Sequence, residues 1–451
     1  MTRLLFADLG AEWRLWLGAS VAILAAAVLG ALDAVFFATA AAIGGDGGRD
    51  MGNANGIIAM FNGVTAIVVI SSVSTLTVAL ARRQHALWQL VGVTPRRVTE
   101  IVLGQVAVLG MVCGILGTVI AFPLAQPAFN LLAETISTIA GRGYQAQFPL
   151  PAAIWTIVII TLVALASALH GARRAARVRP IEALRELEYR ERRMSWGRWV
   201  VVGLCITIGT PLTLTVVNAS AMTGMSAVPM LGPVLTATFS ALTPVLLPSI
   251  VRAWTSIVPA RLSPSWYLAR ANALHKLSVS SSVVSPILTA GALVGGLFTA
   301  FATLSNAMFI ETGRRPSDAD STALLIMLGG PVLLAAIGAG MTIMMSARSR
   351  ERDLALLAVA GGTRRSAIQA AAFESLIYTA TAMLGAMIII VVQGLLTAGL
   401  LSVQVPGTTP TIEFVPMLLV SIAGLVLVTL ATVIPVIVRS RHTIVRRLMV
   451  V

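Results

Sequence analysis

Apolar residues in this chain gather into long blocks, not into the period-two alternation of half-buried strands or the stripe of surface helices. Ten such blocks lie near 15–40, 56–80, 100–125, 151–171, 199–218, 229–251, 282–308, 322–346, 368–398 and 414–438, with few charges inside them. Each is about the 20 residues that an α-helix needs to cross a hydrocarbon core of about 30 Å. The pattern predicts an all-α polytopic membrane protein with ten transmembrane helices. The pair 199–218 and 229–251 fits least well, because Pro211, Pro233, Pro244 and Pro248 would kink or interrupt a helix, whereas Pro229 suits a helix start.

Composition agrees with the pattern. The 451 residues are 57% hydrophobic and only 11% charged, with a mean hydropathy of +0.90, far from the roughly one quarter charged of soluble domains. The formal charge of +14 is scattered in short clusters between apolar blocks, without the basic face and interleaved aromatics of a nucleic-acid binder. The polar segments alternate in basic content. One set of loops holds only Arg49, Arg142, Arg314 and Arg315 of the 32 basic residues, so by the positive-inside bias both termini are expected in the cytoplasm. No outer loop on this map exceeds 25 residues or has strand alternation, so no large extracellular domain is expected. Residues 1–14 read as an amphipathic surface helix ahead of a first retained span. Arginine in place of nearly every lysine points to a GC-rich bacterial genome, and hence to a bacterial cytoplasmic membrane.

The chain also resembles itself. Arg83–Arg96 (RQHALWQLVGVTPR) aligns without gaps on Arg352–Arg365 (RDLALLAVAGGTRR) at an offset of 269, with Leu87 on Leu356, Gly92 on Gly361, Thr94 on Thr363 and Arg96 on Arg365. The same offset sets Gln105 on Glu374 and the first span on the seventh. This predicts two parallel four-helix repeats, since both copies hold four spans and an even number precedes the second. The expected organisation is 15–198 for the first unit with its cytoplasmic tail, 199–251 for a linking helix pair, 252–281 for a cytoplasmic lead-in and 282–451 for the second unit.

Each repeated segment starts with basic residues at a span end and continues as a short helical stretch with Leu87, Leu90 and Val91, or Leu354, Leu357 and Val359, on one side. It breaks at Gly92 or at Gly361–Gly362, and arginines then open the next helix. A membrane-parallel helix held by snorkelling arginines would explain one copy. Two equivalent copies instead suit docking helices for a partner with two-fold symmetry, such as a dimeric ATPase. The candidate coupling residues are Leu87, Leu90, Gly92, Arg96, Asp353, Leu356, Leu357, Gly361, Gly362 and Arg365.

These residues resemble the FtsX-like permease family of ABC transporters (MacB-type, type VII). Asp353 stands in the acidic position of the family's loop, Gly361 at its glycine, and Glu374 where a glutamate follows in the next span. Ala172–Glu186 (ARRAARVRPIEALRE) resembles the ending of a unit, and Trp266–Lys276 (WYLARANALHK) the entry to the next. Ten spans in two units are similar to the single-chain members related to bacitracin-type peptide-resistance permeases. The first repeat departs from the pattern, with Gln84 and Gln105 in place of the acids. The resemblance implies a permease subunit that is not itself an enzyme, whose partner, a cytoplasmic ABC ATPase homodimer, binds ATP and Mg. The chain holds one lysine, Lys276, with no glycine-rich phosphate loop before it.

Asp33 and Glu374 are the ionisable groups inside spans. For Asp33 the readings are a substrate or cation contact, or an interfacial acid reaching water; for Glu374, a helix cap or an arginine partner. His85, His170, His275 and His442 have no metal-ligand spacing, so no metal site is expected. Cys113 and Cys205 lie in apolar blocks and read as small hydrophobes. Glycines 110 and 114, and 291 and 295, are spaced for close helix packing. The expected function is ATP-driven efflux, or extraction from the membrane lipid, of an amphiphilic substrate such as an antimicrobial peptide or a lipid-like compound. The alternatives are a mechanical signal transmitter acting on an external partner and an ion-coupled secondary transporter using Asp33 and Glu374.

Overall fold

The computed structural model describes residues 13–81, 87–176, 196–218, 227–259, 263–275, 277–313, 321–359, 361 and 363–439. In chain order these hold α1 (Trp13–Ile43), α2 (Gly45–Leu80), α3 (Pro95–Glu134), α4 (Leu150–Ala176), α5 (Trp196–Asn218), α6 (Ala227–Thr255), α7 (Pro264–His275), α8 (Leu277–Thr312), α9 (Ser321–Val359), α10 (Arg364–Leu401) and α11 (Val415–Arg439). All but the short α7 are long and apolar enough to cross a membrane, and there is no strand among the described residues. Helices are what lipid dictates, because hydrocarbon offers backbone groups no partner outside the segment. Hydroxyls inside the spans follow the same rule. Thr65 Oγ1 donates to the Phe61 carbonyl at 2.8 Å, Thr77 Oγ1 to Val73 at 2.9 Å and Thr289 Oγ1 to Ser285 at 2.8 Å.

The helices outrun the apolar blocks. The expected polar loop 41–55 is helical apart from a sharp turn at Gly44 (φ 62°), and α2 opens on Asp46, Arg49 and Asp50 in exposed turns. Hydropathy marks where lipid ends, whereas the hydrogen-bond ladder continues into water. The segment 1–12 and most of the tail that follows α4 lie outside the described residues.

Packing repeats at the sequence offset. Within the first unit α1 packs on α2, α3 and α4, α2 on α4, and α3 on α4; within the second, α8 packs on α9, α10 and α11, α9 on α11, and α10 on α11. Between units α2 meets α9, α2 meets α8 and α1 meets α9. Exchanging the two units maps this set of contacts onto itself, the mark of a pseudo-two-fold axis along the bundle. The ends carrying Gly92 and Gly361 therefore lie together, at what we call the turn end; the opposite end is the far end. There Val35, Phe36, Met51, Phe129 and Ile139 form a small core, fastened by Gln147 N–H donating to Thr39 Oγ1 at 2.9 Å.

Helices approach closely where small residues meet. Gly110 lies against Thr161 and Gly114 against Ile157 on α4, while Gly291 faces Ala386 and Gly295 faces Ile390. Gly117 is backed by main chain: a Cβ there would sit 2.5 Å from the Ala27 Cβ and 3.0 Å from the Ala27 carbonyl carbon. Since main chain cannot swing aside, Gly117→Val is expected to destabilise the first unit by about 1–3 kcal/mol or more. Thermal half-life of the purified protein in detergent checks it, and wild-type persistence of the variant would refute the packing.

The linking pair is unbroken. α5 runs through Pro211, and α6 through Pro233, Pro244 and Pro248, so the expectation of interruption is corrected. Each proline removes one N–H, and in the membrane the freed carbonyls find other donors. Near Pro244, Arg198 Nη1 of α5 donates to the Ala241 carbonyl at 3.2 Å and ties the pair together. α6 then packs on α8 and α10, so the pair covers the second unit and leaves the apolar faces of α3 and α4 outward.

Candidate functional site

The first turn is built by local chemistry. Residues 87–90 form one helical turn, stopped at Gly92, whose φ of 95° is costly for any residue with a Cβ. Val93 N–H donates to the Trp88 carbonyl at 3.0 Å and Gly92 N–H to Gln89 at 3.1 Å, the paired bonds of a Schellman cap. Thr94 is extended (φ −68°, ψ 150°), as a residue before proline must be, and Pro95 opens α3. Val78, Val102 and Ala172 pack beneath and tie α2, α3 and α4 together. Above them Leu87, Leu90 and Val91 are 48%, 57% and 87% exposed, and Arg96 is exposed beside them.

At the two described positions, Gly361 and Thr363, the second turn matches the first. Gly361 has φ 82°, and Thr363 (φ −80°, ψ 157°) caps α10 by accepting the Ser366 N–H on its side chain at 3.2 Å. α9 continues to Val359, so residues 346–359 carry about 21 Å of helix past its apolar window. Asp353, Leu356 and Leu357 lie on that extension, where only the backbone is described; Gly362 lies outside the described residues, and Arg365 is exposed.

A device with no forerunner in the sequence reading holds this second turn. α7 lies along the start of α10: Ser265 Oγ donates to the Ser366 carbonyl and to Gln369 Oε1, both at 3.3 Å. Trp266, buried, meets Phe373 edge-on with centroids 5.6 Å apart and Trp254 of α6 at 6.0 Å. Trp254 Nε1 donates to Thr381 Oγ1 at 3.0 Å. The signal available was the aromatic pair Trp266–Tyr267 in the lead-in 252–281.

The two acids lie apart. Glu374 stands about 15 Å along α10 from its Arg364 end, too deep for the expected helix cap, and accepts a hydrogen bond from the Tyr378 hydroxyl. Tyr378 is fully buried and receives the Ser280 hydroxyl at 3.4 Å. Asp33 lies about 15 Å from the far end of α1. It is only 8% exposed, which overturns the reading of an acid that reaches water. Asn62 Nδ2 of α2 stands 3.0 Å from both Asp33 carboxylate oxygens, and Asn55 Nδ2 donates to the Asp33 carbonyl at 2.9 Å. Asn55 and Asn62 escaped the sequence reading; two amides seven residues apart on one face of an apolar helix were the available sign. Among the described residues no three His, Cys, Asp or Glu side chains gather as metal ligands, and both cysteines are buried and free.

Residues 56–180 match the family described as FtsX-like permease C-terminal. The match runs from within α2, through the Gly92 turn and α3, to just past α4, and so falls on the copy with Gln84 and Gln105 in the acidic positions. No curated protein matches the chain. The matched segment and the ten-span bundle agree: residues 56–180 are similar to the FtsX-like permease C-terminal region, and the chain that carries them is a multi-pass membrane protein.

Proposed function

We propose that the chain is the membrane subunit of an ABC transporter in a bacterial cytoplasmic membrane, with both termini cytoplasmic and the turn end facing a homodimeric ATPase. Each turn receives one ATPase subunit. Nucleotide-driven closure of that dimer, which binds the ATP and its magnesium, rocks the two units about their shared interface and drives efflux or membrane extraction of an amphiphilic compound. The observation that supports this most is the pair of positive-φ glycine turns at the same end of the bundle, one of them presenting Leu87, Leu90 and Val91 to solvent. Apolar side chains held out on a rigid helical turn fit a groove on a partner.

Affinity purification of the tagged protein from its native membrane tests it. A chain with the ABC signature is expected to co-purify with the wild type, and its recovery to fall about tenfold or more with Leu90→Glu plus Val91→Glu, as for loss of an interface hot spot. Both side chains are exposed, so the variant folds. An ATPase retained equally by the variant would move the contact elsewhere, and none with the wild type would end the reading.

A further inference from the structure

A buried carboxylate needs a reason, and here the fold supplies a comparison. At the offset of 269, Asp33 corresponds to Ala302, Asn55 to Leu324 and Asn62 to Pro331. The second unit thus packs the same pair of helices with apolar groups at all three positions. The polar cluster is no requirement of the fold, and burying a carboxylate at membrane depth is costly.

The cluster also has more acceptors than donors. The Asp33 carboxylate has room for about four hydrogen bonds and receives one amide nitrogen, that of Asn62. Among the described residues no basic side chain pairs with it. Asn55 and Asn62, both more than nine-tenths buried, each leave Oδ1 without a partner. The Asn62 Oδ1 faces α9 at Gly330, where a Cβ would come within 2.8 Å of it. The site therefore lies where the first unit meets the second, and any rocking of the units opens or closes it.

We propose that Asp33, with the amides of Asn62 and Asn55, receives the protonated amine of a cationic amphiphile. This rests on the transport reading above and narrows its substrate. A primary ammonium carries one positive charge and three N–H donors, the complement of a carboxylate and two unpartnered amide oxygens. In the present arrangement the Asn62 amide nitrogen stands where that ammonium would sit. Turning the amide over removes the nitrogen and offers Oδ1 in its place, so the closed site is occupied by its own side chain until a stronger donor arrives.

The test uses the full chain in lipid nanodiscs without any ATPase, so that it can fail or succeed independently of the ATPase co-purification. Thermal half-life is followed against dodecylammonium, dodecanol, dodecyltrimethylammonium and sodium ion. Dodecylammonium is expected to protect the wild type saturably. Asp33→Asn, close in shape, and Asp33→Ala, which copies Ala302, are each expected to weaken the apparent affinity at least about tenfold, as expected when a charged pair loses one partner. Gly330→Ala weakens it as well, by crowding Asn62. Equal protection by dodecanol, or undiminished protection of the Asp33 variants, would show partition into lipid and overturn the proposal. Equal protection by dodecyltrimethylammonium, which has no N–H, would also overturn it, as would protection by sodium ion alone.

Discussion

Replacing Gly92 and Gly361 together by valine is expected to uncouple the reconstituted transporter, cutting stimulated ATP hydrolysis about tenfold or more, while the double asparagine variant keeps most of it. Both glycines sit at positive φ, 95° and 82°, where an ordinary side chain costs about 1–2 kcal/mol and a branched one more, while asparagine is tolerated. Two such costs together exceed the 1.36 kcal/mol that corresponds to a factor of ten. The chain avoids them by leaving the positive-φ region, which breaks the cap and redirects the apolar tip. The single variants are expected to differ. In the first turn Pro95 stops the helix even without Gly92, since it forces Thr94 to remain extended. The second turn has Arg364 in that place and depends on Gly361, so Gly361→Val is the more damaging. Full coupling in the double valine variant, or asparagine as harmful as valine, would show that the turns do not carry the signal.

What the sequence disclosed follows from how far each feature's information reaches along the chain. A span is written in about 20 consecutive residues, and all ten were readable. The repeat was readable because Gly92 and Gly361 keep the backbone conformation that only glycine adopts freely, and because Leu87, Thr94 and Arg96 around the first recur as Leu356, Thr363 and Arg365 around the second. Helix ends were less legible: Asp46, Arg49 and Asp50 look like loop residues, yet they extend α2 into water. Prolines in α6 misled, since whether a membrane helix breaks at a proline depends on what surrounds it, and the surroundings of α6 come from other helices, α5, α8 and α10. The same limit hid the state of Asp33. Its side-chain partner, Asn62, is 29 residues away, and that partner in turn faces Gly330 of the other unit. Nothing local distinguishes an acid facing water from one enclosed by three helices.

Trp266→Ala is expected to cost about 3–5 kcal/mol, the range for emptying a large aromatic site, and to damage the second turn selectively. Trp266 fills the space between Trp254 of α6 and Phe373 of α10, and with Ser265 it fastens α7 to the first turns of α10. Removing it frees the start of α10 and with it Thr363 and Gly361, while the Gly92 turn, seated on Val78, Val102 and Ala172, stays in place. Trp266→Phe should behave quite differently. The indole Nε1 is buried without an acceptor, so phenylalanine gives up some contact area but also removes an unsatisfied donor, and the net cost should stay under about 1.5 kcal/mol. Thermal half-life in detergent measures the stability of both variants. Proteolysis at Arg364 and Arg365 against Arg96 and Arg97 reads which turn has loosened. Faster cleavage at the second pair alone in Trp266→Ala, with Trp266→Phe near wild type, would establish that the linking pair and α7 hold the second turn by packing. Equal loosening of both turns would mean that the two units are braced as one body and that the aromatic cluster stabilises the whole bundle without favouring either turn.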